Sequence, residues 1–227
     1  MTESSAIVFV VDNDESTRNE LSTLLRADDL SIEAFGNAHD FLAHPRASTP
    51  CCLVLDTALP GLSGLDLQEQ LARERGEMPI IFTTRCRDIA TIVRAMKAGA
   101  VEFLTKPIDA RALVNAIRGA IERSRAILAR EAELRALRVR HESLTPREKE
   151  VLALVVAGRL NKQVGGELGI SEITVKAHRG KVMRKMQVRS LAELVIIAAE
   201  LCLELPRKPE AFMNRSRSGY LQSEARI

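Results

Sequence analysis

Four polar side chains, each directly after a short apolar run, constrain the fold of this chain more than any other feature. They are Asp12, Asp56, Thr84 and Lys106, which follow the runs 7–11, 53–55, 80–83 and 101–105. Short apolar runs that alternate with helix-like stretches predict buried parallel strands in an α/β sheet. Residues at the carboxyl ends of such strands meet in one crevice. That crevice would hold two carboxylates, a hydroxyl and an ammonium, which suits a divalent cation together with a phosphoryl group.

The distribution of charge divides the chain into two parts. The 227 residues are 46% hydrophobic, enough for one or two domains with real cores. A formal net charge of +3 says little by itself. Basic residues, however, crowd 159–162 and 176–189, whereas carboxylates gather near the start at 12, 14 and 15. This asymmetry predicts a carboxylate-bearing N-terminal domain and a cationic C-terminal domain.

The cysteines and the N-terminus both indicate a cytoplasmic protein. The cysteines at 51, 52, 86 and 202 form no CxxC pair and have no histidines at zinc spacing, so a reduced chain is expected. The N-terminus lacks the basic and apolar segments of a signal peptide, and no apolar run is long enough to span a bilayer. We therefore expect no membrane partner.

The first half of the chain predicts a doubly wound five-stranded parallel sheet, because five strand patterns alternate with five helix patterns. We place this domain at residues 1–122, with Asn37 and Asp109 as helix N-caps. No stop signal follows until 142, so a long linker helix is predicted over 123–142. That helix either frays in solution or forms a coil that dimerises or carries a signal.

The second half predicts an all-α domain of four helices over residues 143–204. Thr145 as N-cap, Pro146 at the first helical position and Glu148 three residues after the cap mark its first helix. Helical patterns then cover 146–157, 161–168, 172–186 and 190–203. The second and third flank a tight turn with Gly169, which is typical of a helix-turn-helix. Residues 205–227 are polar and basic, so we expect a disordered tail.

The third of these helices has the composition of a DNA-recognition helix. Small residues between cations let a helix sink into the major groove while Lys and Arg reach bases or phosphates. The apolar side is assigned to Ile170, Ile173, Val175, Val182 and Met186, and the outer face to Lys176, Ala177, Arg179, Gly180, Lys181 and Arg184. Gly165 and Gly166 are expected to weaken the preceding helix by about 1 kcal/mol each.

The N-terminal half resembles a known family. A carboxylate can accept a phosphoryl group as a nucleophile, and Mg²⁺ needs only a few carboxylates plus water. Residues 6–122 resemble the receiver domain of two-component response regulators, through segments 10–15, 53–64 and 98–107. The resemblance implies Asp56 as phosphoacceptor, Lys106 as a phosphoryl contact, Thr84 as a switch residue and Phe103 as the aromatic that follows it. The implied Mg²⁺ ligands are Asp12, Asp56, Asn13 and the backbone of Ala58.

Two positions depart from this resemblance. Asn13 stands where the family has a second acid, and because an amide adds no charge we expect weaker Mg²⁺ binding. Asp14 comes next, but it would replace that acid only if the loop bends, since one step along a strand changes the face. Arg85 stands where the family has a small residue. It either points to solvent or reaches the Asp56 pocket and partly replaces the metal's charge.

Residues 144–199 resemble the LuxR type of DNA-binding domain. The matching segments are 144–148, 161–162, 169–171, 174–176 and 178–179. The resemblance implies base reading by Lys176, Ala177 and Gly180, with Arg184 on the same face, and backbone contacts from Thr174, Lys162 and Lys181. The two halves together resemble response regulators of the FixJ/NarL family. That family implies a sensor histidine kinase as donor, double-stranded DNA as partner and a homodimer on activation.

Two other functions were weighed. A constitutive DNA-binding protein could use an unphosphorylated receiver for dimerisation or ligand sensing, and Asn13 and Arg85 favour that alternative. An enzyme with a small-molecule substrate has no support, because the sequence has no phosphate-cradling glycine loop, nucleophile elbow or metal cluster.

Overall fold

The sequence folds into alternating strands and helices followed by a group of helices. The computed structural model describes residues 6–26, 30–74, 78–85, 88–201 and 203. The strands are β1 (Ile7–Val11), β2 (Ser31–Phe35), β3 (Cys51–Asp56), β4 (Ile80–Thr84) and β5 (Glu102–Thr105). The first five helices are α1 (Glu15–Arg26), α2 (Ala38–Ala43), α3 (Gly64–Glu74), α4 (Ile89–Lys97) and α5 (Ala110–Glu142). The predicted tail at 205–227, Cys86 and Cys202 lie outside the described residues.

The five strands form one parallel sheet in the order β2-β1-β3-β4-β5. Side chains alternate between its two faces, as the pleat requires. In β1, Phe9 and Val11 pack in the core with α2, α3 and α4, whereas Val8 and Val10 pack with α1 and α5. Both faces are therefore buried, which explains the unbroken apolar runs of the sequence. The predicted doubly wound α/β fold is confirmed.

The position of β1 beside β3 creates the crevice that the sequence predicted. Val11 pairs with Leu55 in the parallel ladder, so the next residues, Asp12 and Asp56, leave the sheet side by side. The connections from these two strands run to opposite sides of the order, and such a switch point is where open α/β sheets bind ligands.

The first half of β3 carries two buried thiols. Burial raises the pKa of Cys51, and it raises the pKa of Cys52 to about 12. The backbone N–H of Cys51 donates to the Ser124 hydroxyl of α5 at 3.0 Å. Both thiols therefore act as small apolar side chains of the strand.

The expected caps form at several helix starts. Asn37 Oδ1 accepts from the Asp40 amide at 2.9 Å, and Asp109 Oδ1 accepts from the Ala112 amide at 2.7 Å. These side chains satisfy backbone donors that have no partner inside the helix, and so they fix where each helix begins.

Helix α5 runs without a break through 33 residues. Its inner face is buried from Leu113 to Ser124 against the sheet. The chain divides into two compact units, 1–132 and 133–227, and the division therefore falls inside this helix. The helix that closes the first domain and the predicted linker over 123–142 are one element, so the domain limit at 122 stays a prediction.

The second unit contains α6 (Pro146–Val156), α7 (Asn161–Leu168), α8 (Glu172–Met186) and α9 (Leu191–Glu200). A capping box begins α6: the Glu148 amide donates to Thr145 Oγ1 at 3.3 Å, and Thr145 N–H donates to the Glu148 carboxylate at 3.0 Å. Helix α6 is buried on two sides, against α8 and α9 through Leu152 and against α7 and α8 through Val151. The all-α helix-turn-helix domain is confirmed.

The two adjacent glycines of α7 have different roles. A Cβ at Gly165 would lie 2.7 Å from the Ile170 carbonyl oxygen, whereas a Cβ at Gly166 would meet nothing within 4 Å. The turn between α7 and α8 folds back closely enough for Ile170 N–H to donate to Gly165 O at 2.9 Å. The expectation that both glycines weaken the helix is therefore wrong for Gly165, because its missing side chain permits this contact.

Candidate functional site

Lys106 joins the two strand-end carboxylates. Its Nζ lies 2.6 Å from Asp12 Oδ2 and 2.5 Å from Asp56 Oδ2. Asp12 is 1% exposed and Asp56 is 5% exposed. Two carboxylates so close together and so far from water need a cation between them, because a buried charge without a partner is costly. The three predicted residues therefore form one bridged cluster.

Backbone donors hold the other oxygens of the two carboxylates. Asp12 Oδ1 accepts from the Asp14 amide at 2.9 Å, and Asp56 Oδ1 accepts from the Ala58 amide at 3.0 Å. Arg18 Nη1 donates to the carbonyl of Asp12 at 2.8 Å, which fixes the end of β1. Each carboxylate thus has one oxygen on the ammonium and one on its own loop, so its orientation is set before any ligand binds.

The remaining predicted residues of this site lie on β4 and β5. Thr57 donates to Thr84 Oγ1 at 2.8 Å, and Thr84 is buried. The half-buried ring of Phe103 lies 6.0 Å, centroid to centroid, from the buried ring of Phe82 on the neighbouring strand. The structure therefore brings Thr84 to the β3–α3 loop that begins at Asp56, and places Phe103 against the core below it.

Gly64 at the start of α3 permits the loop after Asp56 to close. A Cβ at this position would lie 2.5 Å from the Asp56 carbonyl oxygen, 3.1 Å from Thr57 Cα and 3.2 Å from the Phe82 ring. Only a residue without a side chain fits there. Gly64, Thr57 and Arg18 support the site but were not singled out from the sequence; the glycine at the end of the 53–64 segment was the one available signal.

The donor set fits Mg²⁺. Asp12 and Asp56 supply two adjacent carboxylate oxygens, and Asn13 follows in an exposed position where its amide can face water. Within the described part of the chain, no group of three or more His, Cys, Asp or Glu side chains could hold a metal. Two carboxylates completed by water suit Mg²⁺, which keeps several of its waters, better than they suit zinc.

Arg85 forms its ion pair with Asp14. Its Nη2 lies 2.5 Å from Asp14 Oδ2, and its side chain is 70% exposed. Asp14 also accepts from the Thr17 hydroxyl at 3.1 Å and from the Ser16 amide at 3.0 Å, as an N-cap of α1 does. The Thr17 hydrogen bond first, and the Arg85 and backbone hydrogen bonds with it, lower the pKa of Asp14.

At this rim the structure distinguishes between the alternatives that the sequence left open for Arg85 and Asp14. The Arg85 guanidinium is engaged by Asp14 rather than by the Asp56 pocket. Asp14 does not bend into the place of the missing acid, because both of its oxygens are used in capping α1 and in pairing with Arg85.

Helix α8, with Lys162 at the start of α7, presents the predicted DNA-binding residues outward. Six of the seven are exposed, and Thr174 is half-buried with its hydroxyl 2.8 Å from that of the N-cap Ser171. The six are Lys162, Lys176, Ala177, Gly180, Lys181 and Arg184. Lys176 lies 3.0 Å from Glu172 in an exposed i,i+4 pair, which contributes little to stability. This face can therefore meet a polyanion.

Ile173 does not belong to the apolar side of α8. It is 80% exposed, whereas Val175, Val182 and Met186 are buried. Residues two apart on a helix point in nearly opposite directions, so Ile173 and Val175 cannot share a face. The assignment of Ile173 to the core was wrong for this reason.

A partly buried ion pair joins α6 to the C-terminal part of α8. Lys185 Nζ lies 2.7 Å from the buried carboxylate of Glu148 and 3.0 Å from the carbonyl of Ser143. The hydrogen bond from Lys185 is the largest cause that lowers the pKa of Glu148, and the hydrogen bond from the Thr145 amide lowers it further. The capping residue of α6 thereby also fixes the C-terminal end of α8.

No described helix is both long enough and apolar enough to cross a membrane.

Known proteins match both halves of the chain. Residues 8–118 match the response regulator receiver domain, and residues 142–198 match the bacterial regulatory proteins of the luxR family. Nodulation protein W of Bradyrhizobium diazoefficiens is 48% identical over 196 residues, 86% of each chain. Transcriptional regulatory protein FixJ of the same organism is 35% identical over 191 residues, 84% of this chain and 93% of that one.

A solved structure matches across both halves. The response regulator StyR is 45% identical, with a TM-score of 0.74 over 87% of this chain and 100% of that chain. The bridged carboxylate site, the exposed recognition helix and these relatives agree, and the chain belongs to the two-component transcriptional response regulators that join a receiver domain to a luxR-family DNA-binding domain.

Proposed function

We propose that Asp56 is the phosphoacceptor of this response regulator and that a sensor histidine kinase is the donor. The observation that carries this proposal is the Lys106 ammonium, held at hydrogen-bond distance from both Asp56 and Asp12. An ammonium in that position neutralises the acceptor at rest and remains beside it when a phosphoryl oxygen replaces the carboxylate contact. The phosphorus–nitrogen bond of the donor breaks as the bond from Asp56 to phosphorus forms.

The other side chains then have distinct roles. Asp12 keeps Lys106 in place, and the amides of Asp14 and Ala58 keep the two carboxylates oriented. The Thr84 hydroxyl, now bonded by Thr57, exchanges that partner for a phosphoryl oxygen, and Phe103 moves with it. When Mg²⁺ is bound by Asp12, Asp56, Asn13 and the Ala58 backbone, it offsets the repulsion between donor and acceptor anions.

The phosphorylated protein binds DNA as a dimer in the cytoplasm. Phosphorylation changes the surface of α4, β5 and the following helix, and two receivers associate through that surface. Pairing places two DNA-binding units on one two-fold site, so the second half-site is met at high effective concentration. Lys162, Lys181 and Thr174 contact the DNA backbone, while Lys176, Ala177, Gly180 and Arg184 face the bases.

A constitutive DNA-binding regulator is the second candidate. It is favoured by Asn13, which leaves the cluster one carboxylate short of the acid pair that strong Mg²⁺ binding needs. In that case the receiver serves dimerisation or ligand sensing, and Asp56 stays unmodified.

The test is the intact mass of the full-length protein after exposure to a small phosphodonor, with Mg²⁺ and with a chelator. Wild type, Asp56→Ala and Asp66→Ala are compared, because Asp66 is an exposed acid near the same loop. We expect a phosphoryl-sized gain in wild type and Asp66→Ala alone, lost with the chelator. A mass gain in Asp56→Ala would show that another residue is the phosphoacceptor. No mass gain in any sample would favour the constitutive candidate.

A further inference from the structure

Ile173 is a large apolar side chain on an outward-facing stripe of α8 whose other members are one lysine and two small residues. At 80% exposed, it lies on the first turn of α8. Positions 173, 176, 177 and 180 follow the i, i+3, i+4, i+7 spacing of one helix face. Lys176, Ala177 and Gly180 are exposed as well, and the buried residues of α8 point the other way. Ile173 therefore shares the face that the proposed function assigns to DNA.

The surroundings of Ile173 leave it the longest apolar group on this stripe. Ala177 and Gly180 are too short to reach far beyond the helix backbone, and a Cβ at Gly180 would meet nothing within 4 Å. The Lys176 ammonium is already paired with Glu172 at 3.0 Å, so the first turn carries little net charge. The N-terminal end of α8 can therefore make an apolar contact through Ile173, while the cations Lys181 and Arg184 lie further along the helix.

Recognition helices insert their N-terminal residues toward base edges, and Ile173 is the second residue of α8 after the N-cap Ser171. In the major groove the bases offer one aliphatic group, the methyl at C5 of thymine. We propose that Ile173 determines specificity by packing on a thymine methyl in each half-site. This inference rests on the proposed DNA-binding role of α8 and adds a base preference that its charged residues do not provide.

The first step of the test is to find a duplex. Full-length protein, with and without prior treatment with the small phosphodonor and Mg²⁺, is used to enrich binding sites from a randomised double-stranded DNA library. Affinity of the better-binding form for the best duplex is measured by fluorescence anisotropy. Each dT is then replaced singly by deoxyuridine, which keeps the hydrogen-bonding edge and removes only the methyl group. For wild type, we expect one dT in each half-site at which this replacement weakens binding about three- to fivefold, the value of burying one methyl-sized group.

The second step truncates the Ile173 side chain that is proposed to contact the thymine methyl group. Ile173→Ala should bind the parent duplex about three- to fivefold or more weakly and should be insensitive to deoxyuridine at that same position. Because Ile173 is exposed, its truncation should leave thermal unfolding unchanged, which separates a contact from a folding defect. Ile196→Ala removes a 58% exposed isoleucine from α9, outside α8 and the receiver, and serves as the matched control, with wild-type affinity and sensitivity.

The outcomes separate this inference from the function beneath it. Enrichment of no duplex would overturn the DNA-binding role of α8 and this inference with it. Enrichment of a site without a methyl-sensitive dT, or a full methyl effect that persists in Ile173→Ala, would overturn the role of Ile173 alone.

Discussion

The receiver site and the recognition face of α8 both concentrate charge, but they hold it in opposite ways. In the receiver, Asp12, Asp56 and Lys106 are nearly buried, and the one ammonium is paired with both carboxylates at hydrogen-bond distances. On α8, Lys181 and Arg184 are exposed to water. Buried charges need precise geometry, because only close pairing offsets the cost of their desolvation. Exposed charges attract a partner over a longer distance, so their exact positions matter less. A single substitution should therefore change the stability of the fold in the first region, and only the electrostatic attraction to DNA in the second.

The largest expected effect is that of Lys106→Met. Removing one partner leaves two carboxylates buried together without a cation, which should lower the free energy of unfolding by about 3–5 kcal/mol at neutral pH. Mg²⁺ should stabilise this variant more than it stabilises wild type, because the carboxylates are no longer neutralised. Urea unfolding with and without Mg²⁺ measures both effects. Lys97→Met, an exposed lysine on α4, is the control, and equal stability of the two variants would contradict the bridge.

The DNA-binding unit has one place where fit is as strict as in the receiver. Gly165→Ala should destabilise the protein by about 1–3 kcal/mol, because the new methyl meets the Ile170 carbonyl and the turn must open. Gly166→Ala, one residue away, should stabilise it by about 0.5–1 kcal/mol, as replacement of glycine in an open helix position does. Thermal unfolding compares the pair, and a shift of the same sign in both would refute the close approach.

Glu148 tests whether buried charge also matters beneath the recognition helix. Its pKa is lowered in the folded state from an ordinary value of 4.5. Its contribution to stability is therefore present above that value and is lost as the pH falls through the lower, folded pKa. Glu148→Gln should be less stable than wild type at pH about 6, and the difference should shrink toward pH about 3. Thermal unfolding across this range measures it, and a constant difference would point to packing rather than charge.

Lys181→Ala should leave folding intact and change only the salt dependence of DNA binding. One lost phosphate contact should reduce the slope of log affinity against log salt by about 0.9. Anisotropy titrations with one duplex at several salt concentrations measure the slope. Arg26→Ala, which removes an exposed cation at the end of α1, should keep the wild-type slope. The same reduction in both variants would mean that net charge alone is sensed.

The smallest expected effect is that of Arg85→Ala on phosphorylation. Since the guanidinium pairs with Asp14 at the exposed rim, the Mg²⁺ dependence of phosphodonor turnover should match that of wild type. A variant that needs clearly more Mg²⁺ would show that Arg85 supplies charge to Asp56 after all, by leaving Asp14 when the donor arrives.

The sequence predicted the features that depend on local chemistry or on a simple period. Apolar runs marked the strands, the side chains of Asn37, Thr145 and Asp109 marked helix starts, and parallel strand ends brought Asp12 to Asp56. None of these predictions needed knowledge of distant packing. Each follows from the reach of one side chain or from the geometry of a sheet.

The features that the sequence did not predict depend on tertiary contacts. The close approach at Gly165 arises only when α8 folds back on α7, so propensity alone ranked both glycines alike. The partner of Arg85 could not be predicted either, because a long, exposed side chain can pair with either of two acids near it. The error at Ile173 was different in kind, because the two-residue step to Val175 already placed these side chains on opposite sides of the helix.

Asn13 changes the net charge of the receiver site, because it stands where an acid would add a negative charge. Two carboxylates and one ammonium leave one net negative charge, and a bound divalent cation turns this into one net positive charge. A second acid in place of Asn13 would have left the metal-loaded site neutral. Under the proposed function, the asparagine would weaken the attraction of the site for Mg²⁺. The metal-loaded site would then keep one positive charge, which would attract a dianionic phosphoryl donor.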